Sequence, residues 1–533
     1  MKNTTGIHKA GLIVFALLFC FTFYVHFVAG NATPDKELSF YTAKAWLEGK
    51  QLYTQLFTVQ PPLIYFLYSV PVYLSLHMPV MQDYHFLTLL MAVMIGKSIW
   101  IGLQIMRGHP QFAGNLERQL EFCLLLGFVF VIFQHPMDFG DREHIFLVLT
   151  TPYLLRWMPS TAGAPLPLWM RMMIGIMAGI GFSIKPHCLA VLGGINLASM
   201  LFRRRADILF SIENILIYLI GGGYALSVWL FFPQYITVVL PMVFATYSAA
   251  SAGPRAVFYG IKALLIFCVT FADFRPRYDS PFRRDIYYLL LVCVSFLLYV
   301  AANNGWGYTW DLLDSVLLIL TGFVLWECLY LKAQKQALGE PFKPFLFGAR
   351  ACMINFAVNA ILSIMISYGY GFNNCGHYFT SCKAGKVMLE QVRTANDGKP
   401  LERFGAISMD FGVWSYLNRA TGAEWDTRFN HLWMLPKFLI AGPEFAAKHQ
   451  WILHYVEDSL AEDMERYKPE LMFVDDTDDF YTYRHYVDMA AFFSASPRFA
   501  EAWSHYRYVT KIHGLYAFDA KQHNGYFVYK RIH

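Results

Sequence analysis

Long apolar runs broken by short polar ones fill the first 370 residues. Runs of helical length fall at roughly 10–29, 84–106, 120–134, 145–157, 172–184, 188–202, 209–232, 256–274, 285–301, 310–331 and 349–368. A helix rises about 1.5 Å per residue, so about 20 apolar residues cross a hydrocarbon core of about 30 Å. Eleven such runs predict a polytopic α-helical membrane protein. A further apolar stretch, 62–76, is brief and contains Pro71, and it reads as a helix lying along the membrane surface. The first run follows Lys2 and Lys9 and lacks a small-residue cleavage pattern, so it reads as a retained helix rather than a removed leader.

Past residue 369 the pattern changes. The segments 402–410 (ERFGAISMD), 470–476 (ELMFVDD) and 504–512 (SHYRYVTKI) read as strands, and 443–467 reads as helical. In 516–531 (YAFDAKQHNGYFVYKR), Asn524-Gly525 between two β-rich runs predicts a tight hairpin. The Gly- and Asn-rich stretch 368–378 reads as a linker. The expected organisation is a membrane core over 1–368 and a C-terminal α/β domain over 369–533.

Composition agrees. Hydrophobic residues make up 56% and charged residues 15%, against about 25% charged in soluble domains. The net charge of +5 carries no nucleic-acid signature. With the N-terminus inside, the loops assigned to the cytoplasm hold seventeen lysines and arginines and the opposite loops hold six. Positive charge gathers on the cytoplasmic side of membranes, so the C-terminal domain is expected outside. Seven cysteines lie in or beside apolar runs and read as packing residues. Cys375 and Cys382 flank a polar stretch instead, as a disulfide if that stretch is extracytoplasmic or as two free thiols.

This orientation collects the unusual polar residues on the outer side. The first outer loop carries Asp35 and Glu37; the second carries Asp138, Asp141, Arg142, Glu143 and His144; a short turn carries Lys185 and His187; a later loop carries Trp306, Tyr308 and Asp311. Charges beside spanning helices are costly unless paired or facing water, so several on one side point to a polar cavity. Each also has a plainer explanation. Asp35 and Glu37 after Pro34 suit a helix N-terminus, Arg142 and Glu143 could form a solvated pair, and Lys185 could snorkel from a helix end. Histidines beside carboxylates can hold a metal, although no tight ligand spacing such as His-Glu-x-x-His occurs.

The segment 40–67 (FYTAKAWLEGKQLYTQLFTVQPPLIYFL) after Asp35 resembles the first outer loop of the GT-C superfamily of polyprenyl-phosphate-dependent glycosyltransferases. FGDREHIFLVLTTPYLL (139–155), GFSIKPHCLAVL (181–192) and NGWGYTWDLL (304–313) are similar to segments of a bacterial branch that includes aminoarabinose transferases and protein O-mannosyltransferases. The resemblance covers residues 10 to 330. It implies an enzyme of the bacterial inner membrane that moves a sugar from a polyprenyl-phosphate carrier to an extracytoplasmic glycan, lipid or protein, with inversion. Asp35 would be the base, and Lys185 and Arg142 would meet the departing phosphate. His187 would contact substrate. Asp141, Glu143 and His144 would orient those groups or hold a divalent metal, and Trp306 and Tyr308 would stack on lipid or sugar.

The sequence departs from that pattern in three places. Lys36 separates Asp35 from Glu37, so either acid is a candidate base. Gln60 stands where some relatives place a phosphate-binding lysine, and Thr309 stands where a histidine is expected. Segment 426–436 (DTRFNHLWMLP) is a candidate acceptor surface. The competing functions are a transporter or flippase of lipid-linked glycans, a glycan polymerase or ligase, and a non-catalytic scaffold. The absence of an internal repeat counts against a transporter.

Overall fold

The computed structural model describes residues 4–28, 34–134, 138–162, 164–247, 282–302, 307–338, 361, 365, 383–409, 413–476, 486–513 and 525–532. The expected run 256–274 and the linker lie outside these residues, as do Trp306, Cys375, Cys382 and all but two positions of the run 349–368.

In chain order the helices are α1 (Thr4–Val28), α2 (Pro34–Leu47), α3 (Leu63–His77), α4 (Asp83–Met106), α5 (Leu116–Gly127), α6 (Arg142–Arg156), α7 (Leu168–Ser183), α8 (Cys188–Arg203), α9 (Ile212–Phe231), α10 (Leu240–Thr246), α11 (Arg283–Ala302) and α12 (Gly307–Ala337). They are followed by α13 (Lys383–Ala395), α14 (Val413–Thr421), α15 (Leu435–Ala441), α16 (Pro443–Lys448), α17 (Gln450–Tyr467), α18 (Met489–Phe493) and α19 (Pro497–Trp503). Interleaved with these are β1 (Arg403–Ile407), β2 (Glu424–Trp425), β3 (Leu471–Asp475), β4 (Tyr506–His513) and β5 (Gly525–Arg531). The chain forms two compact units. The first holds Met1–Ala29, His85–Leu226 and Ala252–Phe372; the second holds Gly30–Tyr84, Ser227–Ser251 and Asn373–His533. The sheet-bearing unit therefore also includes the segment that follows α1.

Among the described residues, α4, α9, α11 and α12 are long and apolar enough to cross a membrane. They coincide with four of the eleven expected runs. Three more runs correspond to shorter apolar helices in α1, α7 and α8. Run 120–134 is α5 continued by a π-helical turn at Phe128–Ile132. Run 145–157 falls in α6, a 15-residue helix in which every side chain is buried.

The first unit packs by close approach of small residues. A Cβ at Gly194 of α8 would fall 2.3 Å from the Ser295 Cβ of α11, so only glycine lets these helices meet. Several buried polar groups inside it are paired. The Tyr153 hydroxyl donates to Asn196 Oδ1 at 2.6 Å, joining α6 to α8. Glu213 of α9 accepts from Arg171 Nε at 2.8 Å and from Arg156 Nε at 3.4 Å. Asp285 accepts from Ser160 Oγ at 2.5 Å and lies 3.1 Å from His109 Nε2.

In the second unit, a sheet of order β2-β1-β3-β5-β4 has three parallel strands, β2, β1 and β3, with β5 antiparallel to β3 and to β4. Its core joins Phe404, Trp425 and Phe473 of the strands to Trp414 of α14 and Leu38 of α2. The loop after α2 is compact. Tyr53 takes a left-handed φ of 68° and its hydroxyl donates to the Gln60 carbonyl at 2.7 Å. Phe57 N donates to Arg428 O at 2.8 Å, so the loop pairs with the segment after β2.

Of the expected hairpin, residues 516–524 lie outside the described residues. Gly525 already lies in β5, opposite His513 of β4. A Cβ there would sit 2.1 Å from the Ile512 carbonyl oxygen, so this glycine lets β4 and β5 approach closely.

Gly194→Leu is expected to lower the melting temperature of the solubilised protein, because overpacking costs about 1–3 kcal/mol. Gly193→Leu is the control, since a Cβ there meets open space; equal melting temperatures would remove the tight α8–α11 contact.

Candidate functional site

The charged residues among the expected site residues fall into two clusters, one in each unit.

The first cluster forms at the head of α6. Asp141 is the N-cap, and its carboxylate accepts from Arg142 N at 2.8 Å. Carboxylates suit this position because the first helical N–H groups lack partners and carry partial positive charge. Gly140, at φ 80°, donates its N–H to His144 Nδ1 at 2.9 Å, which places a neutral His144's proton on Nε2. Phe139 stacks on His26 with ring centres 3.9 Å apart and lies 4.9 Å from the His144 ring.

Lys185 comes from the turn between α7 and α8, where Cys188 N donates to its carbonyl at 3.0 Å. Pro186 stops α7 from continuing. The Lys185 ammonium donates to Glu143 Oε1, which also accepts from the Tyr299 hydroxyl at 3.1 Å. Glu143, Arg142 and Lys185 are all buried. Glu143 Oε2 is buried too and has no hydrogen-bond partner among the described residues. His187 is exposed.

Asp141, Glu143 and His144 turn to different partners, and no group of three metal-ligating side chains occurs among the described residues.

The second cluster surrounds α2. Asp35 and Glu37 lie in its first turn, where the helix dipole favours acids. Asp35 is half-buried, and its carbonyl accepts from Ser39 Oγ at 2.8 Å. Glu37 is 1% exposed and accepts from Arg419 Nε of α14. Arg419 also donates from Nη1 and Nη2 to the two oxygens of Asp83, at 3.0 and 2.9 Å. Its guanidinium carbon lies 5.8 Å from the Phe40 ring centre. One cation therefore serves two acids. Burial pushes the Glu37 carboxyl up to about 7; Arg419 opposes this and the nearby Asp83 charge adds to it.

Tyr308 is the second residue of α12. Segment 426–436 does not present one open face: Asp426, Thr427, Phe429, Asn430 and Leu432 through Leu435 are buried. Asp426 forms an ion pair with Arg403 at 2.6 Å. Tyr299, Asp83 and Arg419 were not anticipated. A tyrosine in an apolar run reads as packing, and a lone arginine on a short amphipathic helix reads as a solvated charge. The signal for Asp83 was an acid directly before a membrane-length run.

Lys185→Met leaves the Glu143 carboxylate buried without its cation, which costs about 3–5 kcal/mol. The melting temperature is expected to fall for this variant and to recover in Lys185→Met/Glu143→Gln; a single variant as stable as wild type would sink the pairing. Glu37 predicts a pH dependence of its own. Its raised value means the folded unit binds the proton more tightly than the unfolded chain, so stability is full below about 4.5 and is lost as pH rises through about 7. The loss is on the order of 3 kcal/mol. Melting scans from pH 4 to 9 check it, with Glu37→Gln expected to flatten the slope.

No family model matches the chain, and no curated protein does. Among solved structures, the archaeal oligosaccharyltransferase AglB from Archaeoglobus fulgidus, in complex with an inhibitory peptide and a dolichol-phosphate, aligns with 13% identity and a TM-score of 0.42. The alignment covers 93% of this chain and 72% of that one.

Proposed function

We propose that this protein is an inverting membrane glycosyltransferase that moves a sugar from a polyprenyl-phosphate carrier to an extracytoplasmic acceptor. The observation that carries the reading is the head of α6. Two buried cations, Arg142 and Lys185, flank Glu143, whose second oxygen lacks a protein donor among the described residues. An unsatisfied buried acceptor costs about 1–3 kcal/mol or more. A ligand hydroxyl would relieve that cost, and a phosphate would draw on the cations. A sugar phosphate supplies both groups.

The roles follow from each residue's own surroundings. An inverting transfer needs a carboxylate to take the acceptor's proton as the hydroxyl attacks the anomeric carbon. Asp35 is half-buried and lies in the first turn of α2. Glu37 is enclosed and committed to Arg419. We therefore assign the base to Asp35 and a structural role to Glu37. Lys185 and Arg142 hold the phosphate as its charge develops, with Lys185 released from Glu143 as the anion arrives. Tyr299 keeps Glu143 in place through this exchange.

The glycan profile of the source organism tests the reading, comparing wild type, a deletion, Asp35→Asn and Glu37→Gln at matched membrane levels. Asp35→Asn is expected to match the deletion, since loss of a general base typically costs 10²–10⁴-fold in rate. Glu37→Gln is expected to retain product. A wild-type profile from Asp35→Asn would remove Asp35 as base and favour a transporter or scaffold.

A further inference from the structure

Arg419 lies far along the chain from both acids it binds, 382 residues from Glu37 and 336 from Asp83. Its contacts use the whole fork: Nε goes to Glu37, and Nη1 and Nη2 go to the two Asp83 oxygens. A planar fork with donors on two edges fixes direction as well as distance, which an ammonium cannot do. Arg419 is itself held firmly. It sits in the last turn of α14, whose preceding residues Val413, Trp414, Tyr416 and Leu417 belong to the core under the sheet.

Glu37 is two residues after Asp35 in the same helical turn, about 200° around the axis. Asp35 cannot change its direction by rotation of α2 unless Glu37 leaves Arg419. Leu38, the next residue, lies in the same core and Phe40 lies near the guanidinium, so this face of the helix is seated along several positions.

We propose that Arg419 is a positioning residue for the transfer reaction: by gripping Glu37 and Asp83 together it sets the rotation of α2 and so the direction in which the Asp35 carboxylate meets the acceptor. The proposal rests on the reading of Asp35 as the base. The grip depends on charge. The groups facing Glu37 are Arg419 from α14, Asp83 from the head of α4 and Lys36 from its own helix. With Glu37 protonated, Arg419 and Asp83 balance and Glu37 is a neutral third member. With Glu37 ionised, two buried carboxylates share one cation, and the excess negative charge weakens the assembly. The direction of the Glu37 shift agrees, since burial and Asp83 both favour the protonated acid. Transfer is therefore set to decline as pH rises through the neutral range, with Glu37 as the group that titrates.

The test uses membrane vesicles containing the full chain and lipid extract from the source organism as donor. Release of polyprenyl phosphate is followed from pH 5 to 9 for wild type, Asp35→Asn, Arg419→Met, Arg419→Lys and Glu37→Gln, alongside the melting temperature of each. Arg419→Met is expected to lower kcat by about 10- to 100-fold with a much smaller change in KM, because misplacing a reacting group by about 1 Å costs of that order. Arg419→Lys is expected to restore only part of the loss. Glu37→Gln is expected to move the alkaline limb of the kcat profile upward, which a purely structural role would leave in place. If Arg419→Met and Glu37→Gln keep the wild-type kcat and pH profile while Asp35→Asn is inactive, the positioning role is overturned and the base assignment survives. If Asp35→Asn itself keeps the wild-type rate, the base assignment fails and the positioning role fails with it.

Discussion

A single guanidinium shared by two carboxylates organises the sheet-bearing unit. Arg419 joins α2, the head of α4 and α14, three elements with no sequence proximity. Exposed ion pairs contribute little, typically under about 1 kcal/mol. This one differs because Glu37 and Asp83 are almost wholly removed from water while Arg419 keeps part of its side chain in it. An acid in that position cannot fall back on solvent, so removing the cation leaves the Asp83 carboxylate uncompensated and drives Glu37 further toward its protonated form. The compact loop after α2 adds a second attachment through the Phe57 backbone. Together they convert a connection between apolar segments into part of a folded body.

The first unit obeys the same constraint at both ends of α6. At its start Glu143 meets Lys185 and Tyr299; near its end Arg156 meets Glu213, which also binds Arg171. A helix buried on every side can carry charges only where each finds a partner. The two ends differ in one respect. Glu213 has both oxygens engaged by arginine, whereas Glu143 keeps one oxygen without a partner among the described residues.

The long helices α4, α9, α11 and α12 were legible as runs, because crossing a hydrocarbon core imposes a length that composition reveals. The strands β1, β3 and β4 were legible for a similar reason: buried strands are short and rich in branched and aromatic residues. Glu143 and Lys185 were each singled out as unusual, but their pairing was not readable. They are 42 residues apart, on segments whose rotation about the helix axis an apolar run does not specify. Tyr299 was hidden because a buried hydroxyl looks like any other aromatic until its partner is placed. Glu37 was read as interchangeable with Asp35, since spacing says nothing about which acid is enclosed.

The 382-residue separation of Glu37 and Arg419 also bears on biosynthesis. At about 5–20 residues per second, roughly 20–80 s pass between translation of the two. During that interval the first loop has already left the ribosome while its cation does not yet exist. The acid-bearing turn must wait outside its final setting until α14 has been made and folded. Membrane insertion and completion of this turn are thus separate events in the life of each molecule, and a chain that stopped short of α14 would lack the cation that seats its own N-terminal acids.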